Sequence, residues 1–281
     1  MEILEQLTFL ERGVIAGIII GFLSPLIGAF LLVRRMTIIS EGLSHITLTG
    51  ITAGIFMSQS AFWLGPVNPL YTGLLFSLAG SLLVEKLRQI YKDFQELAIP
   101  IILSTGIGMS AILISLVQSS YTEWYSYLFG SIVTVTLSDL FFIVITGIVT
   151  VVILAGFYKE LLSISFDQEF AVTSGISVKK INFLFSLLIA LVITMSIKVV
   201  GILLVGAMVT LPVAASIQFA KSFRQVIFFG ILFGEISVIG GIVTSYYLNI
   251  ATGGMIVVCG VTILVVSIVV QRIIVRLRKT V

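Results

Sequence analysis

The chain has 281 residues, 58 % hydrophobic and only 10 % charged, against about 25 % charged in soluble domains. A chain this apolar cannot cover itself for water, which excludes a soluble enzyme or binding module and makes it a membrane protein. The net charge of +3 does not point to nucleic acid, because lysine and arginine stand at the ends of apolar stretches and set topology rather than forming a basic face.

The first dozen residues carry Glu2, Glu5 and Glu11 ahead of Arg12, the reverse of the basic start of a cleavable signal peptide, so the first apolar run is expected to stay as a span. Runs long enough to cross a hydrocarbon core of about 30 Å are predicted at 13–33, 36–58, 69–84, 97–117, 139–158, 181–198, 199–219, 225–247 and 253–271. The expected architecture is all-α and polytopic, with eight to nine transmembrane helices in a single permease-like domain over residues 1–281. The segment 127–137 is too short to span and reads as a re-entrant or slanted helix, and 181–219 reads as a tight hairpin or one long broken helix. Trp63 and Trp124 are expected in short interfacial loops. Cys259, the one cysteine, is expected as a small lipid- or core-facing hydrophobe and leaves no disulfide frame within one chain.

Placing the N-terminus outside makes Arg34, Arg35, Lys86, Arg88, Lys92, Lys159, Lys179, Lys180, Lys221, Arg224, Arg272, Arg276, Arg278 and Lys279 cytoplasmic, 14 of the 16 basic residues. The positive-inside rule therefore favours a multi-pass cell-membrane protein with its C-terminus in the cytoplasm. One sizeable cytoplasmic connection, over about 159–180, is amphipathic, with Phe166, Phe170 and Val172 among Asp167, Gln168 and Glu169. A short helix lying across the membrane face would give a soluble partner a handle; a solvated linker is the plainer reading. No GxxxxGK[ST] loop occurs, so energy has to come from a partner or an ion gradient.

Ionisable groups inside spans are costly unless they face a cavity or a partner. Glu41 and His45 in the second span and Glu235 in the eighth qualify, with Glu96, Asp139 and Lys198 at span ends. Counted from Arg35, Glu41 lies about 9 Å and His45 about 15 Å along a helix, stacked on one face by their i, i+4 spacing. Thr37, Ser44, Thr49 and Thr52 extend that face into a polar stripe, which suggests a pathway lining, while Gly42, Gly50 and Gly54 would let another backbone approach. Carboxylate plus neutral imidazole is a donor set for zinc or manganese rather than sodium or potassium. One chain supplies two such ligands; a two-fold dimer would supply four. A packing histidine and a proton relay on the same pair remain open. Glu235 reads equally as a gating group or as a carboxyl held neutral against a neighbouring backbone.

At these residues the chain resembles the permease subunits of the ABC importers for zinc, manganese and iron. Four stretches in order carry the resemblance: LLVRRMTIISEGLSHITLTGITAG, YLFGSIVTVTLSDL, SFDQEFAVTSGISV and VVGILLVGAMVTLPVAAS. Glu41 stands where family members commonly have Asp, and Asn249 and Ala251 stand where Asp and Pro are common. The resemblance implies a homodimeric, non-enzymatic transport subunit with no permanently bound cofactor. Its implied partners are cytoplasmic ATP-binding subunits, which would meet the segment with Asp167, Glu169 and Gly175, and an extracellular metal-binding lipoprotein; nucleic acid is not among them. Zinc is preferred over manganese as cargo, because a dimeric Glu/His site offers four nitrogen and oxygen donors. The rival is a proton- or sodium-coupled secondary carrier using the same Glu41 and His45.

Overall fold

A computed structural model describes residues 8–60, 68–91, 94–117 and 121–279. Twelve α-helices run through them: α1 (Phe9–Val33), α2 (Ile39–Ser60), α3 (Pro69–Ile90), α4 (Ala98–Leu116), α5 (Tyr121–Phe129), α6 (Leu137–Gly156), α7 (Tyr158–Phe166), α8 (Gln168–Thr173), α9 (Val178–Val200), α10 (Val205–Ile217), α11 (Phe223–Leu248) and α12 (Thr252–Lys279). Seven of the long helices are long and apolar enough to cross a membrane. The eighth, α2, has the length with its 22 residues but is diluted by Glu41, His45 and its hydroxyls, and α10 is an apolar helix of only 13 residues. The architecture is the all-helical polytopic one expected.

Helix boundaries follow local chemistry. Thr8 and Glu11 form a reciprocal capping box at the start of α1, as Thr136 and Asp139 do for α6, each satisfying orphan N–H groups. Asn68 caps α3 with Pro69 in its first turn, where a missing N–H costs nothing. Within α1, Pro25 cannot donate to the carbonyl of Gly21. Gly234 of α11 packs into that notch: a Cβ there would lie 2.5 Å from the Gly21 carbonyl oxygen.

The most apolar windows of α1 and α9 are each 72 % buried, whereas those of α4 and α12 are 22 % buried. The first pair forms the centre of the bundle. The second presents exposed Ile107, Ile112, Val258 and Val265, a surface suited to lipid rather than water.

The helices alternate between two ends. At one, Phe30 packs edge-on against Tyr158, Phe185 and Phe223, and Arg34 reaches Ser165 and Asn182. At the other, Asn68 donates to Asp139 at 2.8 Å and Lys198 pairs with Asp139 at 3.4 Å. The first end is the basic one, and Arg12 and Lys198 lie toward the other.

Two expectations change, while the 181–219 stretch breaks near Gly201 as expected. There α9 ends at Gly201, whose φ of +88° suits glycine. The chain then continues as a non-helical segment over 201–204, whose N–H groups at Ile202 and Leu203 donate to the carbonyls of Tyr127 and Leu128. The short α10 completes the return. The 127–137 helix is instead α5, beginning at Tyr121 and ending at Phe129 before a turn at Gly130. Trp124 consequently sits in a helix, partly buried against the core beside Tyr127 and Leu128 of the same helix; Trp63 lies outside the described residues. Cys259 is half-buried, facing Gly240.

Candidate metal pathway

The candidate path begins at an elbow. After α1 the chain reverses through Arg34–Ile38, with Arg35 in the left-handed region at φ +55° and the Met36 N–H donating to the Leu31 carbonyl at 2.9 Å. The reversal consumes residues 36–38, which the apolar run 36–58 assigns to the span. Glu41 therefore falls in the first turn of α2, where the N–H end of the helix favours a carboxylate. His45 lies about 9 Å along α2 from its first residue, shallower than a count from Arg35 suggests.

Glu41 is exposed on the surface of the single chain, and its side chain lies over Gly206 of α10. A Cβ built on Gly206 would sit 2.8 Å from Glu41 Cγ and 3.2 Å from Oε1. Around this contact is a cavity of about 420 Å³ walled by Thr37, Ser40 and Glu41 on one side and by Leu203, Gly206 and Thr210 on the other. No hydrogen bond ties the Glu41 carboxylate or the His45 imidazole to another described residue, which leaves both available to a cation. His45 is half-buried and does not wall the cavity in one chain; Gly106 of α4 packs against its backbone, 2.9 Å from the His45 carbonyl carbon as a Cβ would see it.

The expected polar stripe divides. Thr37 faces the cavity, whereas Ser44, Thr49 and Thr52 are buried and donate to carbonyls: Ser44 to Ser40, Thr49 to His45 and Gly106, Thr52 to Thr49. They satisfy themselves in the packing, as hydroxyls in membrane helices commonly do. Of the three stripe glycines, Gly50 and Gly54 meet Thr72 of α3 and Gly42 has only loose neighbours.

Glu235 is half-buried on α11, its carboxyl 3.3 Å from where a Gly21 Cβ would be. It borders a separate cavity of about 410 Å³ lined otherwise by apolar residues such as Ile18, Phe22, Val144 and Ile148. That cavity shares no wall with the one at Glu41, so the structure does not bring the two carboxylates together.

At the basic end the amphipathic connection forms two helices, α7 and α8, hinged at Asp167. The Asp167 carboxylate caps α8 by accepting from the Phe170 N–H at 2.9 Å. Glu169 stands exposed in the first turn, with Phe166, Phe170 and Val172 exposed around it. Gly175, at φ +81°, makes the turn into α9 with open space beside it, so backbone conformation alone demands glycine there.

Sequence reasoning missed two features. Gly206 and Thr210 form the wall facing Glu41; the glycine of VGAMVT was their only sequence signal. Asp139 and Lys198, read as interfacial, are 3 % and 11 % exposed and form a buried ion pair. Lys198 also lies 4.7 Å from the Tyr127 ring centroid, and Thr136 N–H donates to Asp139 at 3.0 Å.

Seven helices of spanning length and apolarity, with a half-length helix among them, make this a multi-pass membrane bundle. The family model described as ABC 3 transport family matches residues 6–271, and the chain belongs to that family. It is 31 % identical over 267 residues to the manganese transport system membrane protein MntC of Listeria monocytogenes, covering 95 % of this chain and 92 % of that one. It is 27 % identical over 255 residues to the high-affinity zinc uptake system membrane protein ZnuB of Haemophilus influenzae, covering 91 % and 95 %. A chain of PsaBC from Streptococcus pneumoniae, solved in complex with a Fab, superimposes with a TM-score of 0.81 at 26 % identity over 94 % of this chain and 92 % of that one. The protein is thus the membrane-spanning permease of a metal ABC importer, a transport component rather than an enzyme.

Proposed function

We propose that this permease carries a divalent transition-metal ion past Glu41 and His45, working as a homodimer in which two copies bring four donors to one path. The observation that carries the reading is the Glu41 carboxylate on the bare backbone of Gly206, beside a cavity and without a hydrogen-bond partner. An unpaired carboxylate facing a cavity draws a counter-charge, and an ion in transit supplies one. Thr37 and Thr210 stand in the same walls with hydroxyl oxygens.

Zinc is the favoured cargo, since two carboxylates and two imidazoles make a four-donor set suited to tetrahedral coordination. The relative of 31 % identity named for manganese supports a second reading, in which the same donors and water complete a higher coordination number. Orientation follows from the gathering of basic residues at one end: that end is cytoplasmic, with the N-terminus outside. Cytoplasmic ATPase subunits dock on the exposed α7–α8 segment at Asp167, Glu169 and Gly175. A metal-binding lipoprotein delivers the ion at the opposite end. Glu235, set apart from this path, acts as a gating group through the packing of α1 against α11.

Equilibrium binding of zinc and of manganese to the purified permease tests the site. One ion per two chains, lost in Glu41→Gln and in His45→Ala, is expected; one ion per chain, or retention in both variants, would remove the shared four-donor site.

A further inference from the structure

The basic end holds more positive charge than its surroundings neutralise. Arg34, directly after α1, donates from Nε to Ser165 Oγ at 2.9 Å and from Nη1 to Asn182 Oδ1 at 3.0 Å, and its guanidinium lies 4.1 Å over the Phe185 ring. Its Nη2 is buried and has no hydrogen-bond partner among the described residues. Arg35 and Arg88 line the same cavity of about 290 Å³, where Glu85 is the one carboxylate among the lining residues. Arg88 spends one nitrogen on the Met36 sulfur, a weak acceptor, and another on Gln95. Burial, with Arg88 nearby, lowers the pKa of Arg34 to about 10, still charged near neutrality.

A second cavity, about 210 Å³, shares Glu85 and Ser186 with the first and adds Lys86 and Lys179. Five cations thus line these two neighbouring cavities against a single acid. One helical turn deeper along the same two helices, Leu82 of α3 and Phe183 of α9 are 44 % and 53 % exposed and line this cavity too. Charge at the helix ends passing into exposed apolar side chains along one α3–α9 cleft is the gradient that a phospholipid presents in reverse.

We propose that the α3–α9 cleft at the basic end binds an anionic phospholipid, its phosphate among Arg34, Arg88, Lys86 and Lys179 and its acyl chains along Leu82 and Phe183. A basic pocket between membrane helices at the cytoplasmic face is a recognised headgroup environment. Arg34, with Nε and Nη1 held by Ser165 and Asn182, contributes its charge to the headgroup site. The lateral apolar rim distinguishes this occupant from a carboxylate of a soluble partner, which would meet the bundle end-on. The site does not involve Glu41 or His45, so its test is independent of the metal reading.

The test is native mass spectrometry of the full-length permease in detergent, titrated with phosphatidylglycerol or phosphatidylcholine of matched chains. Phosphatidylglycerol should bind at least about tenfold more tightly, falling about fivefold for each charge removed in Lys86→Gln, Lys179→Gln and Arg88→Gln. The first two replace exposed side chains and spare the fold. Lys221→Gln, at the same end but outside the cleft, should leave retention unchanged. Equal binding of the two lipids, or an equal loss in Lys221→Gln, would overturn the proposal. Displacement of the lipid by millimolar inorganic phosphate would assign the cleft to a soluble anion instead. Stoichiometric displacement by the purified ATPase subunit would make it a protein-docking surface and likewise overturn the lipid assignment.

Discussion

Gly206→Ala is the sharpest perturbation of the path, because its effect depends on one contact. The added Cβ would stand 2.8 Å from Glu41 Cγ and 3.2 Å from Oε1, whereas carbon atoms rest about 3.5–4.0 Å apart. The Glu41 side chain must withdraw by up to about 1 Å to restore contact distance. Driving it off its rotamer costs about 0.5–1.5 kcal/mol, or two- to tenfold, and a 1 Å misplacement of a reacting group costs up to about 100-fold in rate. Uptake should therefore fall between about twofold and 100-fold, with insertion unchanged because the clashing atoms belong to a movable side chain. The assay is ATP-driven uptake of radioactive zinc and manganese into proteoliposomes at matched protein. Glu41→Asp shortens the arm by one methylene, so Gly206→Ala/Glu41→Asp should transport nearly as well as Glu41→Asp alone, the non-additivity that contact implies. Wild-type uptake in Gly206→Ala, or losses in the two single variants that simply multiply in the double, would refute the contact.

Asp139→Ala strands the Lys198 ammonium, 11 % exposed, and should lower stability by about 3–5 kcal/mol in thermal unfolding in detergent; Asp139→Ala/Lys198→Met should recover most of it, and an unchanged melting temperature in the single variant would count against the pair. At the coupling segment, Asp167→Ala/Glu169→Ala should weaken co-purification with the ATPase subunit while the permease still inserts. Asp167→Asn, which keeps an acceptor for the α8 cap, separates loss of charge from unwinding of that short helix; normal assembly in the double variant would place the contact elsewhere. In a Cys259→Ala background, a cysteine at Asn249 should react with an impermeant reagent from outside and one at Ser174 should not, and external labelling at Ser174 would invert the orientation.

Much of the fold was readable because long apolar runs and the clustering of basic residues are one-dimensional signals. Where spans departed from helix, the cause was tertiary. The stop at Gly201 depends on Ile202 and Leu203 pairing with the carbonyls of Tyr127 and Leu128, a partnership of residues some 75 apart that no local pattern announces. The same holds for α5, whose aromatic sequence looked interfacial until its packing was known. Glu41 and His45 stood out because charge inside an apolar run is rare. Their opposite wall did not, since glycine and threonine at 206 and 210 look like ordinary small residues of a membrane helix. The stripe was over-read for the complementary reason: Ser44, Thr49 and Thr52 share a face with Glu41 in sequence, but their hydroxyls are spent on carbonyls. Arg34 and Arg35 were read as topology charge alone, and only the folded arrangement of α1, α3, α7 and α9 gathers Arg34, Arg88 and Glu85 around one cavity.

The central claim is that Glu41 and His45 hold the ion as it crosses. It is tested most directly by ATP-driven uptake of labelled zinc and manganese in proteoliposomes carrying the complete transporter with His45→Ala, with assembly verified by co-purification of the ATPase. His45→Ala removes a nitrogen donor without adding buried charge, so uptake of both ions should be abolished while assembly and ATPase activity persist. Glu41→Gln should be nearly as severe, and Glu41→Asp should remain active. Unimpaired transport of both ions by His45→Ala would reduce the histidine to a packing residue and contradict the account.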